Sequence, residues 1–193
     1  VVSLSKKDLI AQGALRSFAR YGYSETTMDG IAEETQVAKG TLYYHFKTKE
    51  DLFLYVIEKG VKMLIDSVEK VMADTGLSME DRMYGVLDEH LRFFSDNREL
   101  CYLLLSVFSG DKNRDRQVAG YLTEYFVAME RHISQLQKQG FIRADIDVQT
   151  LASALFGMVG FTVLRKQFRQ EPLDEAAGKA TLRSLLEGIV PRR

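Results

Sequence analysis

The sequence predicts an all-α protein: a small three-helix head at the N-terminus followed by a larger helical body, about nine helices in total. Three observations carry this. Only two prolines occur in 193 residues, Pro172 and Pro191, so nothing breaks a helix over most of the chain. No stretch shows the strict apolar–polar alternation of a half-buried strand; apolar residues recur every three or four positions instead. The segments so defined are separated by Ser, Thr, Asp or Gly where helices begin and end. With 46% hydrophobic and 27% charged residues, the balance is that of an ordered globular chain.

Taken in order, Ser5 to Asp8 can cap a first helix whose apolar face is Leu9, Ile10, Ala14, Leu15, Phe18 and Ala19. Gly22 suits the positive-φ residue that ends it. Thr26 or Thr27 caps the second helix; Asp29, three residues after Thr26, approximates a capping box. Ile31 and Ala32 face inward, Glu33 and Glu34 outward, and Gln36, Val37 and Ala38 form a turn. Lys39-Gly40 opens a third helix anchored by Leu42 and Phe46, one turn apart on one face. Its other face carries Lys39, Thr41, Tyr43, Tyr44 and His45.

Thr48, followed by Glu50 and Asp51, starts a long helix with Leu52, Val56, Ile57, Leu64 and Val68 on its apolar side. Asp74-Thr75-Gly76 breaks it, and Ser78 begins a helix through Val86, Leu87, Leu91 and Phe94 to Ser95 or Asn97. A shorter helix from Arg98 carries Leu100, Leu103, Leu104, Val107 and Phe108. After a loop at 110–113, Val118, Leu122, Tyr125, Met129, His132 and Leu136 mark another long helix, stopped by Gly140. Asp147 caps the next, through Leu151, Ala154, Leu155, Met158, Val159, Thr162 and Leu164. Pro172 forces a boundary before a last helix with Ala176, Leu182, Leu185, Leu186 and Ile189.

The chemistry concentrates in the second and third helices. Two short helices joined by a tight turn, the second rooted by two apolar anchors and otherwise rich in donors, are what major-groove reading requires. Net charge is only −1, yet positions 36–49 hold three lysines and a histidine and no acid, a small basic footprint on a balanced protein. The run TTMDGIAEETQVAKGTLYYHFKTKEDLF resembles the DNA-binding signature of the TetR/AcrR family of transcriptional regulators. The resemblance is close over roughly the first third of the chain; beyond it only helical layout and length agree.

The resemblance implies a DNA-binding domain over 4–50, with the helix-turn-helix at about 27–46, and a ligand-binding and dimerisation domain over 51–193. It implies a homodimer on a palindromic double-stranded operator, a repressor released by a small apolar or amphipathic effector. Tyr43 is then expected to meet a base edge or a thymine methyl, with Thr41 and Lys39 beside it and Gly40 permitting close backbone approach. Tyr44, His45, Lys49 and Thr27 are expected on phosphates. An effector cavity would draw on Met63, Phe94, Tyr102 and Phe108, and on Tyr125, Met129 and Phe161 from later helices. For each of these, plain core is the more common role. His90, His132 and Arg165 are possible polar handles. In the family the last two long helices pair with those of a second subunit, which points to Leu155, Val159 and Leu164, and to Leu182, Leu185, Leu186 and Ile189; intramolecular core is the competing role.

Other classes find little support. There is no P-loop, HExxH, Rossmann glycine fingerprint or CxxC, and His45, His90 and His132 lack metal-ligand spacing. No enzyme activity, metal or cofactor is expected. A single cysteine, Cys101, cannot make an internal disulfide and fits a reducing cytoplasm. No signal peptide is evident; the most apolar stretch, 151–164, is closed by Arg165 and Lys166, too early to span a membrane. The chain opens on Val1, so a few preceding residues are expected. The alternative within the family is an architectural or cell-division factor without a ligand, whose body would hold no cavity.

Overall fold

The computed structural model describes residues 5–106, 112–171 and 175–191, and among these it places nine α-helices and no strand. They are α1 (Lys6–Glu25), α2 (Met28–Thr35), α3 (Lys39–His45), α4 (Lys49–Ala73), α5 (Met79–Asp96), α6 (Arg98–Leu105), α7 (Lys112–Lys138), α8 (Val148–Phe168) and α9 (Glu175–Glu187).

In the head, the Ser5 hydroxyl accepts the Asp8 N–H and starts α1. Gly22, at φ +79°, interrupts the helical backbone where a side chain would be strained. The Thr26 hydroxyl points at the carbonyls of Gly22 (2.7 Å) and Ser17 (3.1 Å) and secures that kink. Thr26 is thereby used up, and Thr27 caps α2 by accepting the Gly30 N–H at 3.0 Å. The capping box expected from Asp29 does not form: Asp29 turns to the Lys39 ammonium, 2.7 Å away. Ile10, Ala14, Phe18, Ile31 and Leu42 are wholly buried where the three helices meet, whereas Leu9, expected inward, is exposed. α1 and α2 cross so closely that a Cβ on Gly13 would lie 2.0 Å from Thr35 Cγ2.

α4 joins head to body. Thr48 and Asp51 form a reciprocal capping box at its start, and its buried side, from Leu52 to Val68, packs on α1, α5, α6 and α7. In the body α8 lies against α5, α6 and α7, and α9 against α5. α8 does not stop at Arg165 and Lys166 but continues to Phe168, which makes it the one described helix long and apolar enough to cross a membrane. The basic pair simply occupies its last turn. Here Leu151, Leu155, Phe156, Val159 and Val163 are buried, so much of its apolar surface serves as core.

The centre of the body is an aromatic cluster. Phe94 meets Phe156 edge-on at 5.5 Å, and Tyr125 lies 5.3 Å from Phe156. His90 is buried beside them: its Nδ1–H donates to the Val86 carbonyl (2.7 Å), leaving Nε2 to accept from the Tyr125 hydroxyl (2.6 Å). Burial holds the His90 pKa below the ordinary 6.5, so the folded chain keeps it neutral while the unfolded chain protonates. This contribution to stability is complete above the ordinary value and is lost as pH falls towards the folded one. The thermal midpoint should therefore fall on acidification from about pH 7 to about pH 5.5, within the range of histidine titration; a flat profile over that window would contradict the burial of a neutral His90.

Candidate nucleic-acid interface and interior cavity

α2 and α3 are joined by Gln36 in the left-handed region (φ 54°, ψ 30°), its N–H closing α2 on the Ala32 and Glu33 carbonyls. Leu42 and Phe46 root α3: Leu42 is fully buried and Phe46 packs against Tyr55 of α4 at 5.2 Å, with the Lys7 ammonium above both rings. That anchoring turns the opposite side outward. Lys39, Gly40, Tyr43 and Tyr44 are exposed, Thr41 and His45 half-buried, and Thr27 is exposed at the start of α2. Tyr44 is 77% exposed, its ring meeting that of the neighbouring His45 edge-on at 5.2 Å. A Cβ on Gly40 would meet nothing within 4 Å, so the fold itself does not require glycine at this place. The Asp29 carboxylate beside Lys39 raises its pKa and keeps it charged.

Lys49 is placed differently from the phosphate contact expected of it. Its ammonium donates to the carbonyls of Tyr23 (2.7 Å), Ser24 (3.2 Å) and Thr26 (2.8 Å) and sits 4.5 Å from the Tyr23 ring centre. The kink at Gly22 frees these carbonyls, and a half-buried cation at the start of α4 collects them. Burial, then the nearby Arg114, lowers the Lys49 pKa. Arg114, in the first turn of α7, stacks 3.8 Å from the same Tyr23 ring and is itself buried. Lys47, absent from the expected contacts, is exposed at the end of α3 and donates to the Tyr43 carbonyl at 3.1 Å. Its place between the reading helix and the Thr48 cap was the available signal.

The residues proposed for a cavity disperse. Phe94 and Tyr125 belong to the aromatic cluster; Phe161 is 60% exposed on the outer side of α8, and Met63 is 44% exposed on α4. Tyr102 is half-buried against Phe168, and Phe108 lies outside the described residues. His90 is enclosed with both ring nitrogens engaged, and Arg165 is exposed. Among the described residues, Met63 lines a pocket of about 300 Å³ between α1, α4 and the start of α6, and Met129 of the seven and His132 of the handles reach a second space deeper in the body. This cavity, about 30 Å³, lies among α4, α5, α7, α8 and α9, walled by Met72, Met83, Met129, Leu155 and Leu186. On its outer flank is a more polar pocket of about 230 Å³ that includes Glu69, Arg82, Gln135 and Gln139. Met72, His132 and Leu136 border both.

The expected dimer residues divide by side. Leu155, Val159, Leu164, Leu182 and Leu186 are buried in their own chain, between 0% and 8% exposed, and are not available to a partner. Ile189 is half-buried. Leu185 is 57% exposed, and Phe161 and Phe168 stand out at 60% and 68% on α8. Because α8 is apolar on all sides, periodicity could not tell its inner face from its outer one.

A helix-turn-helix head whose reading helix presents Lys39, Tyr43 and Tyr44, carried on a helical body, defines a DNA-binding regulator. The comparisons with known proteins agree. Residues 10–56 match the family described as bacterial regulatory proteins, tetR family, and residues 57–177 match the YsiA-like protein C-terminal region. The chain belongs to the TetR family of transcriptional regulators. Among its relatives, the fatty acid metabolism regulator protein of Bacillus subtilis is 22% identical over 182 residues, 93% of each chain. The uncharacterized HTH-type transcriptional regulator YhgD of the same organism is 34% identical over 92 residues, about half (48%) of each chain. Among solved structures, a Clostridium perfringens protein proposed to regulate fatty acid metabolism superimposes with a TM-score of 0.85 at 28% identity, covering 95% of this chain and all (100%) of that one. The regulator FadR from Bacillus subtilis, solved in complex with stearoyl-CoA, gives a TM-score of 0.82 at 21% identity, covering 94% and 97%.

Proposed function

We propose that this chain is a cytoplasmic, non-catalytic transcriptional repressor that binds a palindromic operator as a homodimer and is released by a long-chain fatty acyl effector. The observation that carries the effector class is the near full-length likeness to regulators of fatty acid metabolism, one of them holding stearoyl-CoA. The methionine-walled apolar interior is compatible with it. That likeness also favours a metabolite-responsive regulator over a ligand-free architectural factor. The head, about residues 4–50, reads DNA: Tyr43, Thr41 and Lys39 face the major groove, Gly40 allows the backbone close, and Tyr44, His45, Thr27 and Lys47 hold phosphates. The remainder, from about 51, binds the effector and the second subunit.

The test is selection of genomic fragments by the purified protein at moderate salt, followed by addition of stearoyl-CoA to the retained complexes. The expected result is enrichment of a short palindrome and its release by the acyl-CoA. Recovery of all fragments alike would remove the operator-specific reading, and retention despite saturating acyl-CoA would remove the effector. The second subunit is assigned to the outer side of α8 and α9, where Phe161, Phe168 and Leu185 are exposed. Phe161→Glu should raise the dimer dissociation constant at least tenfold, by analogy with charged substitutions in desolvated interface centres. Sedimentation at dilute concentration checks this, and an unchanged dimer would place the interface elsewhere.

A further inference from the structure

His132 is 8% exposed, and both its ring nitrogens are shut off from solvent without a hydrogen-bond partner in the protein. The Glu69 carboxylate comes within 3.2 Å of Nε2, but outside hydrogen-bonding geometry, and it is already paired with Arg131. A buried imidazole left unpaired is costly, so such a group calls for an explanation. Nearby, Arg82 spends one guanidinium nitrogen on the Met72 carbonyl at 3.1 Å, while its Nε is likewise buried and unpaired. Both residues line one space, and their buried nitrogens become reachable from it only when the partition beside them moves. The 230 Å³ pocket at the edge of α4, α5 and α7 is lined by both residues and by the amides of Gln135 and Gln139.

The inner side of His132 is the opposite environment. The cavity behind it is walled by Met72, Met83 and Met129 and by leucines and isoleucines, with almost no polar surface. Its 30 Å³ is about the share of one water molecule in the liquid, far too little for an acyl chain. Its walls are the ones best able to yield: methionine is unbranched, with three rotatable bonds, and refills or vacates space at small cost. Met72, His132 and Leu136 therefore form the partition between a wet outer pocket and a dry inner one.

We infer that this partition is the entry port of the effector: an acyl chain passes Met72 and Leu136 into the methionine-walled interior, and the hydrogen-bonding head of the acyl compound stays outside on His132, Arg82, Gln135 and Gln139. The inference rests on the acyl-effector reading above and names the route and the head-group contacts within it. The head could be the carboxylate of a free fatty acid or the thioester and amide-bearing arm of an acyl-CoA. Both offer acceptors to the His132 and Arg82 N–H groups. Glu69 lines the pocket but is paired with Arg131, so Arg82 faces it as a cation beside the hydrogen-bonding groups.

The experiment is calorimetric titration of the full chain with oleoyl-CoA and, separately, oleate, for the wild type and His132→Leu. Leucine fills the site without a polar atom, so the variant should melt no lower than the wild type, yet bind the acyl compound at least tenfold more weakly. Gln135→Leu, on the exposed rim, should weaken binding about threefold and guards against a folding defect in the first variant. Oleoyl-CoA bound and oleate refused, with the loss in His132→Leu, assigns the head to the thioester arm. Oleate bound with the same loss assigns it to the carboxylate. Wild-type binding that both variants retain within twofold overturns the entry port and leaves the acyl effector standing. No binding of either compound by the wild type overturns both.

Discussion

Tyr43→Ala should lower affinity for the operator by roughly 1–3 kcal/mol, the worth of one good base contact, or about ten- to hundredfold, while leaving the thermal midpoint where it is. The side chain is 43% exposed, whereas the anchors Leu42 and Phe46 are buried, so the core does not depend on it. The Tyr43 carbonyl that receives Lys47 is backbone and survives the substitution. Affinity for unrelated DNA, set by the phosphate contacts, should be nearly unchanged. Competition binding against operator and scrambled duplexes separates the two. Equal losses on both would move Tyr43 from base readout to the backbone set.

The second large effect is on the head's stability. Lys49→Met keeps the aliphatic stem but removes the ammonium that gathers the carbonyls of Tyr23, Ser24 and Thr26. Hydrogen bonds from a charged group are the stronger kind, and the carbonyls left behind are partly shielded, so a loss of roughly 2–3 kcal/mol is expected. That corresponds to several degrees in the melting temperature of a chain this size. The slope of log affinity against log salt should not change, because the donors of Lys49 are already committed inside the protein. A slope shallower by about one, with unchanged melting, would return Lys49 to the phosphates.

What could be read in the sequence was local. Ser5, Thr27, Thr48, Ser78 and Asp147 each cap a helix within three residues of themselves, and the structure shows a side-chain cap at all five. The reading helix was legible for the same reason, since Leu42 and Phe46 lie one turn apart and fix which side of α3 faces outward. What escaped depends on distant partners. Lys49 finds its carbonyls 23 to 26 residues back along the chain, released by a kink whose destination Gly22 alone does not announce. Asp29 trades a capping role for a partner ten residues on. α8 carries apolar residues on every side, so no polar stripe sets its rotation, and the inward leucines passed for an outward interface. The interior cavity was legible only in part: Met129 and His132 line it as expected, whereas bulk and aromaticity also picked out Phe94 and Tyr125, which pack around Phe156, and missed Met72 and Met83.

One helix touches both ends of the molecule's business. Arg114, at the start of α7, lies on the Tyr23 ring of the head, and His132, on the same helix, stands at the partition of the interior. Their separation is about 27 Å at 1.5 Å per residue, with no proline or glycine hinge but Gly120 between them. Such a helix acts as a lever. A tilt of about 3° at the His132 end would carry Arg114 by ~1.4 Å over that length, enough to disturb a guanidinium–ring stack of 3.8 Å. The head can thus be reached along α7 as well as along α4, against which α7 packs.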